Sequence, residues 1–385
     1  MDGRRVVVTG AGVVTARGSG LDALWTARGA AMPPGRVQML DPEALRCDRR
    51  SGDTVSRAAV DAAAQAWHDA GLPTVTERPD QLAVLLGVGL AGLRAAERAT
   101  VAVAAGREPT PRDVLALSPA EPVAAVARYL GAAGPCRGVA TSCASGLDAI
   151  SDAARLVARG GADVALAGAT EAGATAVNLA GLRRLGVLSA TGVARPFDGD
   201  RDGLVLAEAA AALVVEDAGH AHQRGAVPRA VVLGAASTRD PGGHAAAIDA
   251  AGTYVSRCVA AALRDAGLVA ADLAAVIAHA TGTVAGDEAE ARGLALALGS
   301  AAVPVTAGKG ATGHAMAAAG ALAAIEAVES VRTGCLPAVV GFRSAKGPAA
   351  ALDLLTTERH IAPGPVLTVA VGFGGFIAAL VIGPA

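Results

Sequence analysis

Short apolar runs alternate along the chain with longer alanine-rich segments. The runs at 5–9, 81–87, 163–167, 210–216, 230–233, 274–279 and 366–371 are continuous, often β-branched and bounded by glycine or polar residues, which predicts buried strands. Segments 55–69, 119–129, 145–159, 251–265, 287–298 and 315–333 carry alanine and leucine at a helical period with polar residues between them, which predicts helices. Such alternation implies α/β layers around mixed sheets. No low-complexity linker divides the chain. The stretch 219–228 is the best boundary, giving an N-terminal half of 1–222 and a C-terminal half of 223–385. No short-period repeat is present, which argues against a solenoid.

Composition narrows the picture. Among 385 residues there are 49 glycines, only 2% aromatics and two lysines, Lys309 and Lys346, so the core must be built by close approach of small side chains. A net charge of −2 and few aromatic rings exclude the stacking platforms and basic grooves of single-stranded nucleic-acid binders. With 52% hydrophobic residues the chain is not a disordered one, yet no stretch supplies the ~20 apolar residues that span a bilayer. The N-terminus does not have the pattern of a secretory signal. Five cysteines, with no CxxC pair, indicate neither a disulfide framework nor a zinc site, and a cytoplasmic location with no metal is expected.

Four places could carry chemistry. Gly10-Ala11-Gly12 follows a strand but lacks the third glycine of a dinucleotide-binding turn and reads as a tight strand–loop turn. A reductase pair of Tyr and Lys four residues apart cannot be built, because Tyr129 is followed at that distance by Ala133 and Tyr254 by Cys258. In Thr141-Ser142-Cys143-Ala144-Ser145-Gly146 a cysteine stands at the predicted start of a helix, on a turn like the elbow that presents hydrolase nucleophiles. There the helix dipole and free N–H groups are expected to lower the thiol pKa. Cys47, Cys136, Cys258 and Cys335 lack that setting and are expected to be inert. His279-Ala280-Thr281-Gly282-Thr283 follows a strand, and Lys309-Gly310-Ala311-Thr312-Gly313-His314 precedes a helix. A chain that almost never uses lysine places one five residues before the second histidine.

These motifs in this order resemble the β-ketoacyl synthases, the condensing-enzyme branch of the thiolase-like superfamily. The similarity runs essentially end to end. It includes the opening strand and turn at 4–12, the strand end at 168–171, Arg195-Pro196-Phe197-Asp198 with Arg201-Asp202-Gly203, and Gly372-Phe373-Gly374-Gly375. The resemblance implies a duplicated five-layer αβαβα fold with two mixed sheets, and a dimer paired through a strand of the N-terminal half. It implies that Cys143 carries an acyl group and that the N–H groups of Cys143 and Phe373 form an oxyanion hole. His279 and His314 would stabilise the enolate left when a malonyl-type extender loses CO₂. Thr281 and Thr283 would bind a pantetheine arm that arrives on an acyl carrier protein, so no resident cofactor is expected. Phe373, beside Gly374, would gate the acyl pocket. Lys309 would orient the His314 loop through nearby carboxylates, Glu290 among them, with Asp287 in support.

The chain departs from the family pattern in its supporting residues. Ala280 replaces a glycine, Ala207-Glu208-Ala209 replaces Gly-Glu-Gly, Gly310 replaces a serine, and Phe376-Ile377 replaces Thr-Asn. The carboxylate expected nine residues after the second histidine is Ala323, with Glu326 nearly a helical turn further on as a substitute. Altered support with an intact trio suggests a specialised synthase of fatty-acid or polyketide type. Two alternatives follow: an acyltransferase forming an ester or amide without decarboxylation, or a chain-length-factor-like partner subunit in a heterodimer. Segments 100–112 and 240–248 are candidate pocket or lid elements.

Overall fold

The computed structural model describes residues 3–29, 37–46, 53–74, 76–243 and 248–385. Cys47 and positions 244–247 of the candidate lid lie outside the described residues. The N-terminal half contributes strands β1 (Val6–Thr15), β2 (Leu82–Val88), β3 (Cys136–Val139), β4 (Val164–Glu171) and β5 (Ala209–Asp217). The C-terminal half contributes β6 (Ala230–Arg239), β7 (Ala275–Ile277), β8 (Pro304–Thr306), β9 (Val366–Gly372) and β10 (Phe376–Gly383). The principal helices are α1 (Thr54–Asp69), α2 (Glu121–Leu130), α3 (Ser145–Ala158), α4 (Thr253–Ala266), α5 (Val284–Leu298) and α6 (Ala318–Thr333).

The two halves repeat one topology. Strand order is β3-β2-β4-β5-β1 in the first half and β8-β7-β9-β10-β6 in the second. In both, the first three strands of that order are parallel and the last two run against their neighbours. This duplication exists in the pairing, not in any residue repeat. The two expected sheets are joined at one edge, where Val7 and Val8 of β1 pair with Val231 and Ala230 of β6. The short strands Gly18–Ser19 and Asp353–Leu354 extend this continuous sheet to twelve strands, and Cys335–Leu336 with Arg359–His360 forms a separate small one.

The layering explains the composition. Helices α3 and α6 pack against each other between the two halves of the sheet, while α1 and α2 cover the outer face of the first half and α4 and α5 that of the second. Every residue of α6 from Ala318 to Ser330 is buried, as a helix covered on all sides requires. Alanine and glycine let such helices approach closely. The Gly10-Ala11-Gly12 run is not a turn: it lies inside β1. A Cβ on Gly10 would lie 2.1 Å from Ala66 O, and one on Gly12 2.1 Å from Ala62 O, so both glycines serve the close seating of α1 on β1.

Candidate active site

Three loops at the C-terminal ends of parallel strands meet between the halves, where α/β sheets generally place their sites. Cys143 follows β3, in a single 3₁₀ turn (Ser142–Ala144) that runs into α3. The turn is held by its own polar side chains: Thr141 N–H donates to Ser145 Oγ (2.9 Å), Ser145 Oγ–H to Ser142 O (2.6 Å), and Thr141 Oγ1–H to Asp148 Oδ2 (2.6 Å). The strained residue of this elbow is Ser142, at φ 53°, one position before the cysteine.

His279 follows β7, and His314 follows β8 and the short helix Lys309–Thr312. His314 Nε2 lies 3.2 Å from Cys143 Sγ, and the two imidazoles meet edge to face with centroids 5.3 Å apart. The N–H groups of Phe373 and of Cys143 itself are directed at the sulfur. A cavity of 420 Å³ opens on this group; Thr281, Thr283, Leu204 and Phe373 line it. The hydroxyls of Thr281 and Thr283 are hydrogen-bonded to each other at 2.9 Å. Ile248 of the candidate lid also reaches the cavity wall, whereas no residue of segment 100–112 does.

Buried carboxylates hold the His279 loop. Glu290 accepts from His279 N–H and Ala280 N–H, both at 2.6 Å. Ala280, at the position where glycine was expected, adopts φ 30°, a strained value for alanine that these hydrogen bonds help to secure. Asp287 accepts from Phe197 N–H (2.7 Å) and Gly282 N–H (3.0 Å), with Arg201 Nε at 3.8 Å. The Arg195–Gly203 motif is therefore a brace for this loop. Glu208, between the two alanines that replaced glycines, accepts from Leu40 N–H and Ala174 N–H, each at 3.0 Å, and pairs with Arg94 at 2.6 Å. Gly310 leaves no room for the expected serine, since a Cβ there would lie 1.8 Å from Val340 O. Phe376 pairs with Gly372 across the β9–β10 hairpin, and Ile377 enters the core of the second half.

Two expectations are corrected. Lys309 does not engage the His314 loop through carboxylates. Its Nζ donates to the His279 carbonyl oxygen and lies 3.3 Å from His279 Nδ1. Among the described residues no carboxylate lies within ion-pair distance of it; Glu326, the expected substitute, pairs instead with the buried Arg28 at 3.8 Å. Arg28 also donates to Ala307 O (2.7 Å) and Thr306 Oγ1 (3.1 Å). No sequence signal marked it, because a lone arginine after a short helix ordinarily faces solvent.

The second correction concerns the thiol. Burial pushes Cys143 up to about 12, although the charge of Lys309 and the two N–H groups act in the opposite direction. The helix start does not prevail because Cys143 is only 3% exposed and the unpaired thiolate would lose nearly all its hydration. Burial also drives His279 and His314 well below 6.5, assisted in both cases by the charge of Lys309. Both rings are therefore neutral near pH 7. Burial lowers the Lys309 pKa, opposed by the charge of Glu290; as an ammonium donating to His279 Nδ1 it leaves the ring proton on Nε2. Histidine-selective ¹⁵N NMR should show His279 as the Nε2–H tautomer with no titration between about pH 8 and 6.5; a ring that protonates in that interval would refute this assignment.

A buried thiol, two neutral imidazoles and the N–H groups of Cys143 and Phe373 meet at one cavity between the halves. Two family models match the chain. Residues 26–221 match "Beta-ketoacyl synthase, N-terminal domain" and residues 229–343 match "Beta-ketoacyl synthase, C-terminal domain". The chain belongs to the β-ketoacyl synthase family and is an acyltransferase-type condensing enzyme of polyketide or fatty-acid synthesis. It is 33% identical to the actinorhodin polyketide putative β-ketoacyl synthase 1 of Streptomyces coelicolor, over 98% of this chain and 88% of the relative. It is 30% identical to the 3-oxoacyl-[acyl-carrier-protein] synthase 2 of Coxiella burnetii, over 99% of each chain. A type II PKS ketosynthase, solved in complex with its acyl-carrier protein and bound to a hexaketide, superposes with a TM-score of 0.89 at 26% identity, covering 100% of both chains. No described helix is long and apolar enough to cross a membrane.

Proposed function

We propose that Cys143 is the acyl carrier of this synthase and that His279 and His314 handle the charge that develops on the extender. The observation that carries this reading is the 3.2 Å approach of His314 Nε2 to Cys143 Sγ beside the second imidazole. In loading, Cys143 Sγ attacks the carbonyl carbon of an acyl thioester. The thiol proton passes through His314 Nε2 to the departing pantetheine sulfur, and the N–H groups of Cys143 and Phe373 hold the tetrahedral oxyanion. A thiol held near 12 reacts by giving up its proton during attack, so a base beside it is needed. Among the described residues His314 Nδ1 has no hydrogen-bond partner, and none of them pins its tautomer.

In condensation a malonyl-type thioester enters past Thr281 and Thr283. Its C–CO₂⁻ bond breaks, CO₂ leaves, and the electron pair becomes an enolate. His279 Nε2–H, fixed by Lys309, donates to the enolate oxygen, and His314 supplies the second donor. The enolate carbon attacks the acyl-Cys143 carbonyl, the new C–C bond forms, and Cys143 departs as thiolate and takes up one proton. Nothing in this sequence calls for a resident cofactor; the pantetheine arm comes with the carrier-borne substrate.

Incubation with acyl- and malonyl-loaded carrier protein should give an acyl-Cys143 adduct by intact mass, release of CO₂ and a β-ketoacyl product. An ester or amide with no CO₂ released would favour the acyltransferase alternative, and an inert Cys143→Ala change in the pathway would favour the partner-subunit one.

We further propose that the enzyme acts as a dimer paired through β3. This strand is the outer edge of the first half and its residues Cys136, Arg137 and Gly138 are exposed, leaving one side of the ladder without a neighbour in the chain. Light scattering should give twice the chain mass alone, or a one-to-one complex with a related subunit. Arg137→Pro should reduce it to the single-chain mass, since proline removes a ladder donor and opposes continuous pairing.

A further inference from the structure

Glu171 ends β4, is fully buried, and takes no part in the steps above. Its Oε2 accepts from Leu90 N–H at 3.2 Å, in the loop after β2. The N–H groups of Ala317, three residues beyond His314 and the cap of α6, and of Ala172 also favour its charged form, and the Ala317 side chain and Glu171 Oε2 crowd the same spot beside Gly89. The backbone leaves space for it, because a Cβ on Gly89 would come within 2.4 Å of Oε2. Among the described residues its other oxygen, Oε1, has no hydrogen-bond partner.

Among the described residues no cation is paired with this carboxyl. The charged and titratable groups that face it are Glu208, which is neutralised by Arg94, and Cys143. A side chain that served only to fill space would be apolar there, so the acceptor needs a reason. Met316, between His314 and Ala317, adopts φ 45°, a left-handed value uncommon for a non-glycine residue. The turn that aims His314 is therefore strained, and the Glu171 carboxyl stands at its far end. A carboxylate at the N-terminus of a long helix is also favoured by the helix dipole.

We propose that Glu171 is a positioning residue: it clamps the Leu90 loop of the first half to the Ala317 cap of the second and so sets the placement of His314 against Cys143. Burial pushes Glu171 up to about 7, and its negative form opposes ionisation of Cys143, so the clamp also tunes the thiol.

The proposal rests on the site reading above and is tested so that the two fail separately. Glu171→Leu removes the acceptor and should lower condensation turnover by about tenfold or more, as small misplacements do, with the carrier-substrate KM unchanged. Glu171→Gln keeps an acceptor oxygen and should stay within about threefold of the parent at pH 8. Alkylation of Cys143 by iodoacetamide needs no substrate, so it reports on how Glu171 tunes the thiol even if the condensation reading is wrong. It should run severalfold faster in Glu171→Gln at pH 8, because a neighbouring negative charge is gone. Parent-like turnover in Glu171→Leu, or an unchanged alkylation rate in Glu171→Gln, would overturn the proposal. If Glu171→Leu fails to fold, the turnover comparison is made with Glu171→Ala, which lacks the same acceptor.

Discussion

Cys143→Ala should abolish acyl-enzyme formation and lower condensation by at least about 10⁴-fold, the scale on which loss of a nucleophile is felt. Decarboxylation of the malonyl thioester should persist at a measurable rate. The two reactions separate because the sulfur forms the acyl bond, whereas the enolate is met by the imidazoles, whose centroids lie 5.3 Å apart. The methyl group also removes the polar partner of His314 Nε2, so the void beside that ring gives the extender carboxylate no new obstacle. Parallel assays of intact mass, CO₂ release and product would check this. A variant that still condensed would place the nucleophile elsewhere, and Cys258 and Cys335, both buried away from the cavity, offer no substitute.

His279→Ala should produce the converse pattern. Condensation and decarboxylation should fall on the order of 10²–10³-fold, about 2.7–4 kcal/mol of transition-state stabilisation, as for loss of one oxyanion donor. Loading of Cys143 should remain close to the parent rate, because His314 and not His279 lies against the sulfur. His314→Ala should impair both half-reactions. Single-turnover acylation and steady-state CO₂ release distinguish the two histidines. Equal loss of loading in both variants would show that the imidazoles act as one unit.

The ordering of strands and helices was largely legible from hydrophobic periodicity, because buried strands in an α/β protein are continuous apolar runs and their helices are long and periodic. The strands β8 and β10 were absent from that reading: three residues are too few to show a period, and β10 follows β9 after only three residues. Gly10 and Gly12 were misread as a turn because a glycine that admits a neighbouring helix cannot be told, from its letters, from one that bends the chain. The cysteine, the histidines and Lys309 were legible as types in glycine-rich loops. Their contacts were not: Lys309 lies 30 residues from His279 and only five from His314, yet it binds the distant one. Glu326 was misplaced for the same reason, its partner Arg28 being nearly 300 residues away along the chain.

Residue order alone carried the α/β class and marked Cys143, His279 and His314 as candidates, because periodicity and local loop chemistry are properties of neighbouring residues. The thiol's pKa, the partner of Lys309, the strained turns at Ser142, Ala280 and Met316 and the clamp at Glu171 were decided by the tertiary structure. Burial, desolvation and the meeting of two halves depend on which distant segments exclude water from one another, and that is a property of the packed chain.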